Sequence, residues 1–285
     1  MMGGFAEWLK FGKDRNMADA LEPYEVYAVK YADRDAVRSD HFIFSDAHDV
    51  PMPMDYFLWA IVGNNRSYVI DTGFCPEEAA KRGRKHIRSP NEALRHIGVV
   101  AETAEDVILT HMHYDHCGNM EQFPKAKFYV QDREMAYATG RYMREQFLRH
   151  AYSLEYVVEL VRALYDDRVE FIDGVREIAP GITLHHVGGH TDGLQVVRVW
   201  TRRGWMVLAS DATHMYDNIG RQNPFPIVFN VGHMLAAYRT IAELADGPEL
   251  IVPGHDPLVM QRFPAASKDT EGIAVRLDNG PIHWE

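Results

Sequence analysis

At 285 residues with 46% hydrophobic side chains, the chain has the length and apolar content for one large α/β domain, 1–285, and no Pro/Gly/Ser-rich linker divides it. A formal net charge of −11 argues against a nucleic-acid groove, and no stretch approaches the ~20 apolar residues of a membrane span. Cys75 and Cys117 make no disulfide framework, and Met1–Asn16, with Trp8, Lys10, Lys13 and Asp14 and no apolar run, does not read as a secretory signal; a cytoplasmic protein is expected.

In chain order, residues 1–22 read as an N-terminal extension, with a helix expected over Phe5–Leu21. The alternation of Tyr24–Tyr31 predicts a strand. Tyr56–Val62 and Ser67–Ile70, joined by Gly63-Asn64-Asn65-Arg66, predict a hairpin. Pro76–Lys85 and Pro90–Ile97 predict helices, each opened by an early proline. The run Asp106–Thr110 and the segment Lys127–Val130 read as strands. Residues 132–167 predict a helical insertion of two or three helices, with Met143, Phe147, Leu154, Val158 and Val161 at helical spacing. Further strands are expected at 168–172, 182–187, 195–200, 205–209 and 249–252, and a helix over His233–Leu244.

The chemistry concentrates at strand ends. His111-Met112-His113-Tyr114-Asp115-His116 follows the Asp106–Thr110 run. Packing does not explain this density of imidazoles, since each must be hydrogen-bonded, exposed or metal-bound. Three later apolar segments end in the same way, delivering His190, Asp211 and His255. Imidazole and carboxylate are the preferred ligands of Zn²⁺. The grouping predicts His111, His113 and His190 around one ion. Asp115, His116 and His255 would surround a second, with Asp211 offering an oxygen to each. Cys117 reads as a small buried residue behind this loop rather than a thiolate ligand.

As a set these motifs resemble the metallo-β-lactamase superfamily of hydrolases, over roughly residues 55–260. The resemblance implies an αβ/βα four-layer sandwich: two mixed β-sheets flanked by helices, with the metals at one edge. It also implies a bracing role for Asp71, in the turn Ile70-Asp71-Thr72-Gly73, through hydrogen bonds to a metal-bound histidine. Within the superfamily the layout looks most like the N-acyl-homoserine lactonase branch. That implies lactone opening by a metal-bridging hydroxide, with Asp115 or Asp211 shuttling the proton and two Zn²⁺ as cofactors; Mn²⁺, Fe²⁺ or Co²⁺ also suit such ligands.

The chain departs from that branch at one place. The branch carries a substrate-contacting tyrosine three residues after the bridging aspartate; here that position is His214, with Tyr216 beyond it. Either is a candidate for the contact. Phe225, between Pro224 and Pro226, is expected over the active site against the substrate. Met143 and Phe147 are candidates for a hydrophobic channel for an acyl chain. The alternative substrates are another small lactone, an ester, or a thioester as in glyoxalase II-like enzymes. Phosphodiesters are disfavoured because no Lys/Arg cluster is evident near the motifs. The expected partner is a small-molecule substrate, without nucleic acid or membrane, and a homodimer is expected on base rate alone.

Overall fold

The computed structural model describes residues 21–44 and 49–282. The helix expected over Phe5–Leu21, and almost all of the N-terminal extension 1–22, lie outside them.

The first strand, β1 (Glu25–Arg34), pairs antiparallel with β2 (Met54–Gly63), which turns back through the expected hairpin into β3 (Arg66–Ile70). Asn64 and Asn65 make that turn with φ of 52° and 57°, a conformation that asparagine tolerates better than most residues. Helix α1 (Pro76–Arg82) follows the sequence logic of its ends: Pro76 at the start, Glu77 and Glu78 in the first turn, Lys81 and Arg82 in the last. Gly83 stops it with φ 65°, so the helix is shorter than the expected Pro76–Lys85. Lys85 and His86 leave it to form β4 against β1. In α2 (Pro90–Arg95) the Ser89 hydroxyl accepts the backbone N–H of Glu92 at 3.2 Å.

β5 (Asp106–Ile108) and β6 (Lys127–Gln131) then extend the sheet in parallel. The insertion folds as α3 (Asp132–Ala138), a 3₁₀ turn at Arg141–Arg144, α4 (Gln146–Arg149) and α5 (Leu154–Tyr165). The face of α5 differs from expectation. It buries Tyr156, Val157, Leu160 and Ala163 and leaves Leu154 72% exposed. Aromatic and small residues between the expected positions make the better-filled stripe.

β7 (Val169–Ile172) is the far edge strand of this first sheet. The second sheet is β8 (Val175–Ala179), β9 (Ile182–His186), β10 (Gln195–Thr201) and β11 (Gly204–Ser210), to which β12 (Ile251–Pro253) adds in parallel. Between β11 and β12 run α6 (Tyr216–Arg221) and α7 (Val231–Leu244). After them α8 (Leu258–Arg262) leads to β13 (Ala274–Arg276), which returns to pair with β1. β8 and β13 had no sequence prediction. Val175-Arg176-Glu177 is exposed along an edge, and the three residues of β13 are too few to carry a pattern.

The period-two alternation of β2 sorts its side chains into two cores. Tyr56, Leu58 and Ala60 face the helical layer with Leu94, Phe123 and Leu160. Phe57, Trp59 and Ile61 face the second sheet, meeting Leu184, Val197, Val199 and Leu208. On the outer side of the second sheet, Val196, Val207 and Ala209 pack under Met234, Tyr238 and Ile241 of α7. The layers therefore run helix, sheet, sheet, helix. Burial of each large apolar side chain contributes about 1.5–3 kcal/mol to holding them together. The carboxyl ends of β3, β5, β11 and β12 meet at one edge, and the loops leaving them carry the predicted ligands.

Candidate metal centre

The loop after β5 carries His111, His113, Asp115 and His116, and all are buried. The loop after β9 brings His190, the end of β11 brings Asp211, and the end of β12 brings His255. Their ligand atoms form two compact sets, His111–His113–His190 and Asp115–His116–His255, with atoms in each set within 4.8 Å of one another. Asp211 lies between them. Its Oδ2 is 3.2 Å from His190 Nε2 and 3.8 Å from His111 Nε2, while its Oδ1 is 3.3 Å from His116 Nε2 and 3.1 Å from His255 Nε2. One oxygen faces each set.

The far side of each ring sets its tautomer. His190 Nδ1 donates to the carbonyl of Ile227 at 2.6 Å and His255 Nδ1 to the carbonyl of Asp55 at 2.9 Å. His116 Nδ1 donates to Asp71 Oδ2 at 2.7 Å. Asp71 also accepts the Thr110 N–H at 2.7 Å and the Thr110 hydroxyl at 2.9 Å, and Thr110 Oγ1 lies 3.1 Å from His111 Nδ1. With Nδ1 engaged, each Nε2 is left with its lone pair facing inward. The Nε2 atoms of His111, His116, His190 and His255, and Asp211 Oδ1, are buried and have no hydrogen-bond partner among the described residues. Buried polar atoms are rarely left unsatisfied. Convergent orphaned lone pairs of this kind fit divalent cations, so the residues present suit a two-metal centre.

Electrostatics agree with that chemistry. Burial, aided by neighbouring imidazoles, holds His111 and His113 well below the ordinary histidine range, in the neutral form that binds metal. Burial opposes charge on Asp211, but His255, His116 and His214 outweigh it and keep the carboxylate ionised. His116 is the exception: burial again opposes charge, but Asp211, Asp115 and Asp71 together overcome it and raise the ring well above its ordinary value, so a bound cation would have to displace a proton from its Nε2. Asp71 and Ser210, at the ends of β3 and β11, both adopt positive φ, 64° and 44°. Such backbone strain concentrates where a site dictates geometry.

The other predicted site residues fall differently. His214 is 3% exposed and lines the cavity, with Nε2 2.9 Å from Asp211 Oδ2. Tyr216 does not reach the cavity. It packs against the inter-sheet core beneath the Arg262 guanidinium, 4.4 Å from its ring centroid. Phe225 is fully buried beneath His214 and His190, so it supports ligands instead of covering substrate. Met143 packs against the helix-side core, and Phe147 is 63% exposed beside the His150 ring; neither lines the cavity.

Sequence reasoning missed two groups. Glu134, fully buried in the first turn of α3, accepts from Met112 N, Tyr152 OH, Thr191 Oγ1 and Gly193 N, between 2.6 and 3.1 Å. It ties the His111–His116 loop to the His190 loop. In sequence it looks like an ordinary acidic helix start. Arg34, Arg82 and Arg84 also line the cavity, contrary to the expectation of no basic cluster there. The run Lys81-Arg82-Gly83-Arg84-Lys85 carried that signal.

A sheet-on-sheet sandwich with paired His/Asp ligand sets at one edge defines a metal-dependent hydrolase. The chain belongs to the metallo-beta-lactamase superfamily, whose family pattern matches residues 54–255. It is 28% identical over 250 residues to an N-acyl homoserine lactonase of Agrobacterium fabrum, covering 79% of this chain and 86% of that one. Among solved structures it resembles an N-acyl homoserine lactone hydrolase with the product N-hexanoyl-L-homoserine at its catalytic metal centre. That match has a TM-score of 0.70 at 18% identity, over 85% of this chain and 96% of the other. It also resembles a dizinc quorum-quenching lactonase in complex with a product, with a TM-score of 0.61 at 16% identity, over 83% and 90% of the two chains. All three of these relatives are named for the hydrolysis of lactones. Among the described residues no helix is long and apolar enough to cross a membrane.

Proposed function

We propose that this chain is a two-metal lactonase that opens a lactone ring by hydrolysis, with N-acyl-homoserine lactones as the substrate class. His111, His113 and His190 hold one metal, Asp115, His116 and His255 the other, and Asp211 both. The observation that carries this reading is the split of Asp211, one oxygen toward each ligand set, against Nε2 atoms that have no other partner. The names of the relatives support the lactone.

Two bound cations, Zn²⁺ by ligand type with Mn²⁺, Fe²⁺ or Co²⁺ as alternatives, would supply a water that ionises near neutral pH and a Lewis acid for the ring carbonyl. In the reaction the water oxygen joins the acyl carbon, the ring C–O bond breaks, and the departing oxygen takes a proton to give a hydroxy acid. Asp115 and Asp211 are the carboxylates in position to relay that proton. His214 holds Asp211 through Nε2 and faces the cavity. With Tyr216 turned into the core, His214 takes the contact with a substrate oxygen.

A second reading, another small lactone, ester or thioester opened by the same ligands, is favoured by the polar cavity wall. Among the described residues only Met54, Ala151 and Ile227 give it aliphatic or thioether surface. The test is proton release by zinc-loaded protein, with Asp211→Ala as the blank. The panel holds short- and long-chain N-acyl-homoserine lactones, γ-lactones, an S-acyl glutathione, a β-lactam and a phosphodiester. Opening of the homoserine lactones is the expected result. Turnover confined to another ester class would move the assignment to the second reading, and no turnover of any ester would overturn both.

A further inference from the structure

The walls of the cavity above the ligands come from distant parts of the chain. Arg34 ends β1, Arg82 ends α1, and Arg84 lies between α1 and β4; all three reach the same space as Tyr56 and Tyr114. Their guanidiniums are not equivalent. Arg82 is fully engaged: it pairs with Glu78, donates to the carbonyls of His150 at 2.7 Å and Tyr152 at 3.1 Å, and lies 3.9 Å from the Tyr114 ring centroid.

Arg84 and Arg34 are different. Arg84 donates from Nε to the Tyr114 hydroxyl at 2.9 Å and from Nη1 to the Arg82 carbonyl at 3.0 Å. Arg34 donates from Nε to the Met54 thioether at 3.1 Å. Both are half-buried, and among the described residues neither forms an ion pair. The chain carries 41 acidic residues against 30 Lys and Arg, so carboxylates are abundant. Arg66, Arg82, Arg95, Arg133 and Arg276 all have one. Arg88, Arg168 and Arg198 are also half-buried without an ion pair among the described residues, each on a backbone carbonyl and none of them lining the cavity. What sets Arg34 and Arg84 apart is that they line it together. Here two without a carboxylate share one cavity.

The cavity is also small. Its volume is about 60 Å³, against ~300–1,000 Å³ for sites that take drug-sized ligands. Among the described residues it offers no long apolar groove for an extended acyl chain.

We propose that the substrate of this site is anionic: a compact lactone or ester that carries, besides its scissile bond, a carboxylate or phosphate gripped by Arg34 and Arg84. The inference rests on the two-metal hydrolase reading above and, where it holds, moves the substrate from the uncharged N-acyl-homoserine lactones to the second class named there, another small lactone or ester. A guanidinium fork matches the geometry of either oxyanion through paired N–H donors. The anion is a handle and is not consumed. Water still adds to the acyl carbon, and the ester oxygen leaves with a proton.

The experiment uses the metal-loaded full chain and matched substrates: a γ-lactone bearing a carboxylate, the same lactone as its uncharged methylamide, a phosphorylated ester with its uncharged parent, and N-hexanoyl-homoserine lactone. kcat and KM are read separately. The expected result is a preference of about tenfold or more for the charged member of a pair, expressed mainly in KM. Arg34→Gln and Arg84→Gln should each shrink that ratio by about tenfold, Arg84→Lys should keep part of it, and added salt should erode it. Arg176→Gln, at an exposed ion pair with Glu170, should leave the ratio as it is. Thermal melts of each variant separate loss of fold from loss of grip. Whichever charged pair shows the preference identifies the oxyanion as carboxylate or phosphate. If the uncharged partners and N-hexanoyl-homoserine lactone are turned over as well or better, and neither glutamine variant changes the ratio, the anionic substrate is overturned while the hydrolase stands. If no ester at all is turned over, both readings fall together.

Discussion

The phenyl ring of Phe225 lies flat on the imidazole of His214, with centroids 3.3 Å apart and planes 9° from parallel, and its edge meets His190 at 5.1 Å. Phe225 thus braces one ligand and one cavity histidine from behind. Phe225→Ala should cost about 3–5 kcal/mol of stability. It should also lower kcat as His214 loses its support, and should shift KM by the same factor for short and long acyl substrates. Urea melts together with KM across an acyl-length series test this. A KM loss that grew with acyl length would put Phe225 at the substrate instead.

Gly254 sits where a side chain has no room. A Cβ there would lie 2.7 Å from Asp211 Oδ1 and 2.8 Å from the Ser210 carbonyl carbon and oxygen. The backbone of Ser210 cannot yield cheaply, so Asp211 would have to move its Oδ1 away from His116 and His255. Gly254→Ala should therefore destabilise the fold by roughly 1–3 kcal/mol and weaken the Asp115–His116–His255 site more than the other. Metal titration followed by calorimetry should find one tight equivalent and one much weaker. Two equally tight equivalents would show that Asp211 does not need that space.

The convergence of the candidate ligands was legible because each lies at or just beyond the end of an apolar strand, and strand ends of one α/β edge converge. The hairpin at Asn64-Asn65 and the ends of α1 were legible from local chemistry alone. What was not legible depends on direction. Tyr216 and His214 are two residues apart, and the chain turning into α6 sends one into the core and the other into the cavity. Phe225, expected over the site, instead lies buried against His214 and His190, because hydrophobicity does not say which face of a loop is buried. Arg34 and Arg84 lie 50 positions apart in sequence. Only the antiparallel pairing of β1 with β4 brings those two segments together.

Asp71 accepts three hydrogen bonds, from His116 Nδ1, Thr110 N and Thr110 Oγ1. Asp71→Asn would put an NH₂ donor where at least one of these donors now points. The His116 ring would lose the carboxylate that holds its tautomer and makes Nε2 a stronger base. Metal affinity at the Asp115–His116–His255 site should fall about 10–100-fold, measured by competition with a chromophoric chelator. Unchanged affinity would mean that Thr110 and the loop backbone suffice to orient His116.

Glu159, on α5, is a carboxyl outside the site that burial and a neighbouring carboxylate hold near neutral pH. Burial first, and then the facing Glu121, push its carboxyl from 4.5 up to about 7, with Arg168 opposing. The folded state therefore holds this proton more tightly than the unfolded chain does. Its stabilising contribution is fully present below about 4.5 and is lost as pH rises toward about 7. Above that value the charge sits half-buried against a second carboxylate. Glu159→Gln removes the charge without changing the shape. Thermal melts should find the variant and the native chain alike at acidic pH, and the variant the more stable of the two at pH above about 7. If the difference had the same size at both ends of that range, it would come from packing and not from the proton.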